Sequence, residues 1–125
     1  MPSTAPQLEQ IKTTLQQIQD LWHQGKADDV VSHYASDAIL TGEGIPVVVR
    51  GSEQLQQGLA GLLASAPDAN FDIRIGRVLA EDVAETWITV SAQSSGLALR
   101  ALLVWVRIGG AWQIKSESFS AGGSF

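Results

Sequence analysis

Three ionisable side chains near the C-terminal end, Arg100, Lys115 and Glu117, are the strongest candidates for chemistry in this sequence. They fall in two runs rich in β-branched and aromatic residues, which Gly109-Gly110 separates. A carboxylate held in an apolar pocket can act as a general acid or base, and a cation beside it can stabilise an oxyanion or bind an anionic ligand. Their chemistry therefore depends on whether the three side chains share a face, and on what surrounds that face.

The glycine pair predicts a two-residue hairpin turn, because primed turns need positive φ at both central residues. Counting outward from the turn pairs Ile108 with Ala111, Arg107 with Trp112, Trp105 with Ile114, Val104 with Lys115 and Leu102 with Glu117. One face then carries Leu103, Trp105, Arg107, Trp112, Ile114 and Ser116. The other face carries Arg100, Leu102, Val104, Val106, Lys115, Glu117 and Phe119. Both faces are apolar in the middle, which predicts burial on both sides of the hairpin.

Two interpretations of the charged face remain open. In a pocket, Glu117 with Arg100 and Lys115 would bind a carboxylate or enolate ligand, or move a proton. On a wet surface, the same group would be an ordinary set of ion pairs that contributes little to stability. Periodicity favours the wet surface, because the face with the two tryptophans is the more apolar one.

Other candidate pocket residues are scattered along the chain. Glu43 stands at the tip of a predicted turn, Gly42-Glu43-Gly44, from which a carboxylate could reach a pocket mouth. Trp22, Tyr34 and Trp87 would line a cavity or serve as core, and core is the commoner use of large aromatic residues at periodic spacing. The apolar walls would come from Leu102, Val104 and Phe119. His23 and His33 lack a third ligand partner, so we expect no metal site.

Composition limits the class of protein. The chain has 125 residues, is 45% hydrophobic, carries a net charge of −5 and contains no cysteine. This is enough apolar material for one core, and we expect a single domain over residues 1–125. The acidic balance argues against nucleic acid and anionic membranes as partners. No apolar run approaches the roughly 20 residues of a membrane helix, and no secretory signal is evident, so we expect a soluble, cytoplasmic protein.

The helices can be predicted from apolar spacing and end signals. Leu8, Ile11, Leu15, Ile18 and Trp22 recur at intervals of three and four, which predicts an amphipathic helix over about residues 5–24, with a capping box at Thr4. A second, shorter helix is predicted over 26–34. A third follows Gly51, with Ser52 as its N-cap, and ends before Pro67.

The strands follow from alternation and turn signals. Short strands are predicted at 38–41 and 46–50, and long ones begin at Phe71 and Trp87 before the hairpin. Residues 120–125 are rich in Gly and Ser and are predicted to fray. The element order predicts an α+β domain, with three helices packed on one face of an antiparallel sheet.

Several segments resemble the nuclear transport factor 2-like superfamily, which includes ketosteroid isomerases and SnoaL-like cyclases. The resembling segments are Trp22–Gly25, Val30–Ala38, Val49–Leu63 and above all the ending Gly110–Ser120. The resemblance implies a cystatin-like, cone-shaped fold with a strongly curved sheet around an apolar pocket, and a homodimer paired through the outer face of the sheet. It also implies that the charged hairpin face lines the pocket and that the tryptophans lie at the dimer contact.

The resemblance does not bring the isomerase chemistry with it. The isomerases use a carboxylate base, a tyrosine and a protonated aspartate, and alignment with them places Gly42, Ile18 and Val104 at those positions. All three are inert, so we predict no steroid isomerisation by that mechanism. Related SnoaL-like proteins often end in His-Asp-His where this chain has Ser116-Glu117-Ser118. Only the acidic residue in the middle is of the same chemical type.

These observations predict a small homodimeric domain that binds a small organic molecule without a cofactor. In one version it is a lyase, isomerase or cyclase in which Glu117 moves a proton and Arg100 or Lys115 stabilises the oxyanion. In the other it is a non-catalytic binding or association module. The dimer contact is expected to be an outward-facing apolar patch that comprises Ile88, Val90, Leu103, Trp105, Trp112 and Ile114.

Overall fold

The computed structural model describes residues 5–123. It contains three helices and six strands in the order α1 (Pro6–His23), α2 (Ala27–Val31), β1 (Tyr34–Gly42), β2 (Val49–Arg50), α3 (Gly51–Ser65), β3 (Asn70–Ala80), β4 (Val83–Ala92), β5 (Leu97–Ile108) and β6 (Ala111–Ala121). The predicted α+β class, with helices on one face of a mostly antiparallel sheet, is confirmed.

Helix α1 buries the predicted stripe of Ile11, Leu15, Ile18 and Trp22. Its N-cap is Ala5, which makes no side-chain capping bond, and the capping residue predicted at Thr4 lies outside the described residues. Pro at the first helical position suits this start, because its fixed φ is already helical and its missing N–H is not needed there.

The other two helices differ from prediction at their ends. Helix α2 stops at Val31, and Tyr34 belongs to β1 because it pairs with Ile114 of β6. In α3 the N-cap is Arg50, so Ser52 lies inside the helix and does not cap it. Gly51 begins that helix with a φ of +77°, a backbone conformation that glycine adopts without strain.

The strands form one sheet in the order β2-β1-β6-β5-β4-β3. All neighbours are antiparallel except β1 and β6, which are parallel. The strands at β3 and β4 are longer than predicted, and the predicted fraying of 120–121 is wrong, because Ala121 pairs with Leu99. Residues 124 and 125 lie outside the described part of the chain.

The β5–β6 hairpin keeps the predicted register only near its turn. Ile108 pairs with Ala111, Arg107 with Trp112 and Trp105 with Ile114, as predicted. Beyond this point Val104 pairs with Ser116 and Leu103 with Glu117, so Lys115 is an extra residue in β6. Such a β-bulge puts two residues of one strand against one of the other, and it reverses the face of every later side chain on the bulged strand.

The bulge corrects the predicted sorting of faces. Glu117 and Phe119 lie on the same side of the sheet as Trp105 and Ile114, beneath the helices. The predicted outward apolar patch is wrong, because its members are buried in the core: Ile88, Val90, Leu103, Trp105, Trp112 and Ile114. The more apolar face of the hairpin packs beneath α1, so it is the inner face of the sheet and cannot be the predicted contact with a second subunit.

The outer face of the sheet carries a different apolar set. Ile75 pairs with Trp87, and Trp87 pairs with Leu102, so the three side chains form a row across β3, β4 and β5. Val104 and Val106 stand beside this row on β5, and all five side chains are partly exposed or exposed.

No helix in residues 5–123 is both long enough and apolar enough to cross a membrane.

The centre of the core contains one buried polar pair. Trp105 and Thr86 are fully buried, and the Trp105 indole N–H donates to the Thr86 hydroxyl at 2.9 Å.

Thr86→Val keeps the shape of the side chain but leaves the Trp105 N–H without an acceptor. We therefore expect a loss of about 1–3 kcal/mol in the free energy of unfolding, measured by urea denaturation. The control is Thr89→Val on the same strand, whose hydroxyl accepts a long 3.4 Å bond from Arg74 nearer the surface. Equal losses in the two variants would contradict this account.

Candidate functional site

A small apolar cavity lies between the helices and the inner face of the sheet. Its volume is about 40 Å³. We call it the inner cavity, and its walls are formed by Leu15, Ile18, Trp22, Val30, Tyr34, Leu59, Leu62, Phe71, Ile88, Val90, Leu99, Ala101, Leu103, Ile114, Glu117 and Phe119. A space of this size accommodates a single water molecule or a small group of a ligand, but no whole organic ligand.

A larger space, the cleft, adjoins the inner cavity and opens beside α3. Its volume is about 580 Å³, which falls in the range of small-molecule sites. It lies between α3, the loop of residues 43–48 and the ends of β5 and β6. The cleft and the inner cavity share five lining residues: Leu59, Leu62, Leu99, Glu117 and Phe119.

Glu117 and Tyr34 are the polar pair at this junction. The parallel pairing of β1 with β6 sets Leu40 beside Glu117 and Tyr34 beside Ile114, and the irregular register between these points brings the two polar side chains together. The Tyr34 hydroxyl donates to Glu117 Oε1 at 2.6 Å. The pair is therefore a direct consequence of the bulged region of β6 and the matching irregularity in β1.

Burial controls the titration of both groups. Loss of hydration raises the pKa of Glu117, and the hydrogen bond from Tyr34 offsets part of that rise. The pKa of Tyr34 is raised well above its ordinary value by burial and by the nearby Glu117 carboxylate. Tyr34 therefore stays a protonated donor, while Glu117 can exchange a proton at a higher pH than an exposed glutamate.

Phe119 separates the inner cavity from the cleft and is held by a glycine. It pairs with Gly42 across β1 and β6. A Cβ atom at Gly42 would lie 2.5 Å from the Phe119 ring, far inside van der Waals contact. Glycine at position 42 thus leaves room for the ring beside the β1 backbone.

The predicted pocket residues divide into two groups. Trp22, Tyr34, Glu117 and Phe119 line the inner cavity, and Glu43 lines the cleft. Trp22 is held by an indole N–H bond of 2.8 Å to the Ala66 carbonyl and by an edge contact with Phe71.

The other five predicted residues lie outside both spaces. Trp87, Leu102 and Val104 are on the outer face of the sheet, as is Arg100, whose guanidinium donates to the Ala121 carbonyl at 3.0 Å. Lys115 Nζ pairs with the Asp37 carboxylate at 2.6 Å, at a site where the two side chains are 41% and 69% exposed. The predicted cluster of Arg100, Lys115 and Glu117 on one face is therefore wrong, and the bulge is the cause.

Sequence reasoning missed most of the cleft. Leu59 and Leu62 on α3 and Leu99 on β5 line the cleft, and none of the three is among the predicted pocket residues. Pro46 and Ile45 line the cleft from a loop that the sequence identified only as a turn and a short strand. The Leu55-Leu59-Leu62 spacing was a usable signal for an apolar helix face, but it could not distinguish core from cleft wall.

No group of three or more His, Asp or Glu in residues 5–123 is arranged to hold a metal ion. His23 Nε2 lies 2.8 Å from the Ala69 carbonyl, which ties α1 to the start of β3.

Solved structures share this architecture over nearly the whole chain. A ketosteroid isomerase-like protein from Erwinia carotovora atroseptica SCRI1043 is 18% identical, with a TM-score of 0.77 and coverage of 97% of this chain and 100% of that chain. An NTF-2 like protein of unknown function from Shewanella oneidensis MR-1 is 18% identical, with a TM-score of 0.75 and coverage of 90% and 98%. A domain of unknown function with a cystatin-like fold from Nostoc punctiforme PCC 73102 is 14% identical, with a TM-score of 0.77 and coverage of 98% and 82%.

This chain has a nuclear transport factor 2-like fold. The predicted resemblance is confirmed at this level. Identities this low establish the fold alone, because one fold hosts many unrelated activities. No family model and no curated protein matches the sequence.

Within this nuclear transport factor 2-like fold, the three positions aligned with isomerase residues are not equivalent. Ile18 lines the inner cavity, and Gly42 lies beneath the Phe119 ring. Val104 lies on the outer face of the sheet and lines neither space.

The Glu117 site predicts a pH dependence of stability. Between the ordinary carboxyl pKa of about 4.3 and the raised native value, the native state binds more protons than the unfolded state, so the free energy of unfolding falls as pH rises. Glu117→Gln removes this loss while its amide oxygen can still accept the Tyr34 bond. We expect urea denaturation to show that the variant gains stability relative to the wild type as pH rises above the ordinary carboxyl pKa. The control, Glu53→Gln on exposed α3 surface, should follow the wild-type profile, and a Glu117→Gln profile parallel to the wild type would contradict the assignment.

Proposed function

We propose that this protein binds a small, mainly apolar organic molecule in the cleft, with Glu117 and Tyr34 as its polar contact. The observation that carries this proposal is the adjacency of the two spaces: a cleft of about 580 Å³ and a smaller cavity share one partly buried carboxylate in their walls. Apolar walls with a few convergent polar groups and a perturbed pKa are the usual features of a ligand site.

The apolar contacts come mainly from leucines on two elements. Leu55, Leu59 and Leu62 line the cleft from α3, and Leu97 and Leu99 line it from β5. Each buried methylene of a ligand contributes about 0.8 kcal/mol from hydrophobic transfer. A ligand with six to eight carbons would thus gain useful affinity from these walls, while the polar pair fixes its orientation.

A second candidate, acid–base catalysis, is favoured by the state of Glu117. An ionised glutamate with a raised pKa is a stronger base than an exposed one, and Tyr34 provides a hydroxyl donor beside it. Glu117 would take a proton from a carbon next to a carbonyl and return it to another carbon in a cofactor-free isomerase, or give it to the group that leaves the neighbouring carbon in a lyase. Arg100 and Lys115 have no part in this version, since neither lines the cavity or the cleft.

The ligand site can be tested with a neutral fluorophore, N-phenyl-1-naphthylamine, whose emission increases in apolar surroundings. Gly58 lines the cleft, and a Cβ there meets no atom within 4 Å, so Gly58→Trp should fill the cleft without disturbing the fold. We expect this variant to weaken binding by about tenfold or more, which corresponds to 1.4 kcal/mol.

The matched control is Ala64→Trp, which adds the same side chain to an exposed position of α3 that lines neither space. It should bind the fluorophore like the wild type. Equal binding by all three proteins would contradict a ligand site in the cleft.

We also infer that two copies pair through the outer face of the sheet. The row of Ile75, Trp87 and Leu102 with Val104 and Val106 is mainly apolar, and it encloses one ion pair, Arg77–Glu85, because Glu85 pairs with Val104. A mainly apolar patch on a sheet face, whose charges are already paired, fits a second copy related by a two-fold axis. The predicted resemblance implies the same pairing.

Val104→Asp should convert the dimer to monomer, because the new carboxylate would be buried at the contact beside the like charge of Glu85, which pairs with Val104. Sedimentation velocity at micromolar concentration measures the change. Val47→Asp introduces the same charge at a position that is 73% exposed and away from the sheet face, and it should leave the dimer intact. A wild-type protein that sediments as a monomer would contradict the pairing.

A further inference from the structure

The charged side chains that line the ligand site are all acidic. Among residues 5–123, the walls of the inner cavity and the cleft include Glu117 at their junction and Glu43 at the mouth, and they include no Lys, Arg or His. An anionic ligand would therefore meet like charge and no compensating cation. This distribution bears on the chemical class of the ligand.

Glu117 itself has a neutral hydrogen-bond partner. Its carboxylate accepts the bond from the Tyr34 hydroxyl, and burial keeps that hydroxyl protonated. Lys115 is engaged with Asp37 at the exposed edge of the sheet, and Arg100 donates to Ala121 on the outer face. The ionised carboxylate thus lies in apolar surroundings where the protein supplies a hydroxyl and no counter-ion from the lining.

We propose that the ligand is an apolar amine whose ammonium group pairs with Glu117 and whose hydrocarbon body lies in the cleft. This inference rests on the proposed ligand site and names the class of molecule that fits it. The ammonium would provide the positive charge that a buried carboxylate requires. The Phe119 ring, which lines the same junction, presents an aromatic surface to that cation.

The titratable groups around Glu117 give the proposal a definite pH signature. Tyr34 faces it from β1, and Glu43 lies across the cleft in the loop after β1. The other elements contribute no titratable side chain to these walls; apart from Gln57 and Ser65 of α3, their lining residues are apolar or glycine, among them Ile18 and Trp22 from α1, Val30 from α2, Leu59 and Leu62 from α3, Ile88 and Val90 from β4, and Leu99, Ala101 and Leu103 from β5.

The direction in which affinity changes with pH follows from the charges of Glu117 and the ligand. An alkylamine has a pKa near that of lysine, about 10.4, so it stays protonated over the working range. Its affinity should increase as pH rises and Glu117 ionises. A neutral alcohol that accepts a hydrogen bond from protonated Glu117 would show the opposite trend.

The test compares three probes with one hydrocarbon body: 2-phenylethylamine, 2-phenylethanol and phenylacetate. Each is titrated into the full chain, and binding is followed by NMR chemical-shift changes from about pH 5 to pH 8. We expect the amine to bind about tenfold or more tightly than the alcohol at the upper pH, as a charge-assisted hydrogen bond allows, and phenylacetate to bind most weakly. The amine's affinity should rise with pH.

Glu117→Gln should remove the preference for the amine, and the same NMR spectra report whether the variant is folded. Glu43→Gln at the exposed mouth should reduce amine binding by less than about threefold, and Glu53→Gln, in the exposed first turn of α3 and outside the walls of both spaces, should leave it unchanged. If Glu117→Gln does not fold, the rising pH profile of the wild type is the deciding measurement.

The outcomes separate this inference from the proposed function. Binding of N-phenyl-1-naphthylamine without a preference for the amine, or with an amine preference that survives in Glu117→Gln, overturns the amine assignment and leaves the ligand site standing. Tighter binding of the alcohol at low pH also overturns it. Absence of binding by the fluorophore and by all three probes overturns both.

Discussion

A single extra residue in the last strand controls the rest of this structure. Up to Ile114, β6 follows a regular antiparallel ladder with β5, and its apolar side chains pack beneath α1. Lys115 interrupts the ladder, after which the side chains of Glu117 and Phe119 point to the same inner face as Ile114. Without that bulge, Ser116 and Ser118 would line the pocket and Glu117 would lie on the outer face. The bulge therefore determines both where the carboxylate is and how the cavity is closed.

The inner face accepts a carboxylate because the surrounding polar groups are already satisfied. In residues 5–123 every buried side-chain nitrogen and oxygen has a hydrogen-bond partner. Trp22, Trp105 and Trp112 each donate through the indole N–H, to a backbone carbonyl, a hydroxyl and the Gln10 amide respectively. Arg107 lies over the Trp112 ring and also bonds Asp82, so the turn after β3 is tied to the hairpin. Glu117 differs from these groups because its carboxyl can gain or lose a proton.

The fold could be predicted from the sequence because it depends on patterns of apolar spacing that tolerate local errors. The spacing along α1, the Gly109-Gly110 turn and the alternation in β3 and β4 survive a misplaced cap or a strand end that is wrong by several residues. The site could not be predicted in the same way. Strand register has a period of two, so one inserted residue moves a side chain from one face to the other. Nothing in the letters Ile114 to Glu117 signals that insertion, because the flanking residues suit a regular strand equally well.

The Gly42–Phe119 contact has a consequence for how such a chain can change over generations. A carboxylate at position 42 would need the volume that the Phe119 ring occupies. A side chain at position 42 therefore requires the Phe119 ring to turn aside or residue 119 to be smaller. The two positions are coupled, because the room for a side chain at 42 is set by the size and orientation of residue 119. Because Phe119 lines both the inner cavity and the cleft, any residue larger than glycine at 42 would also change the shape of their junction.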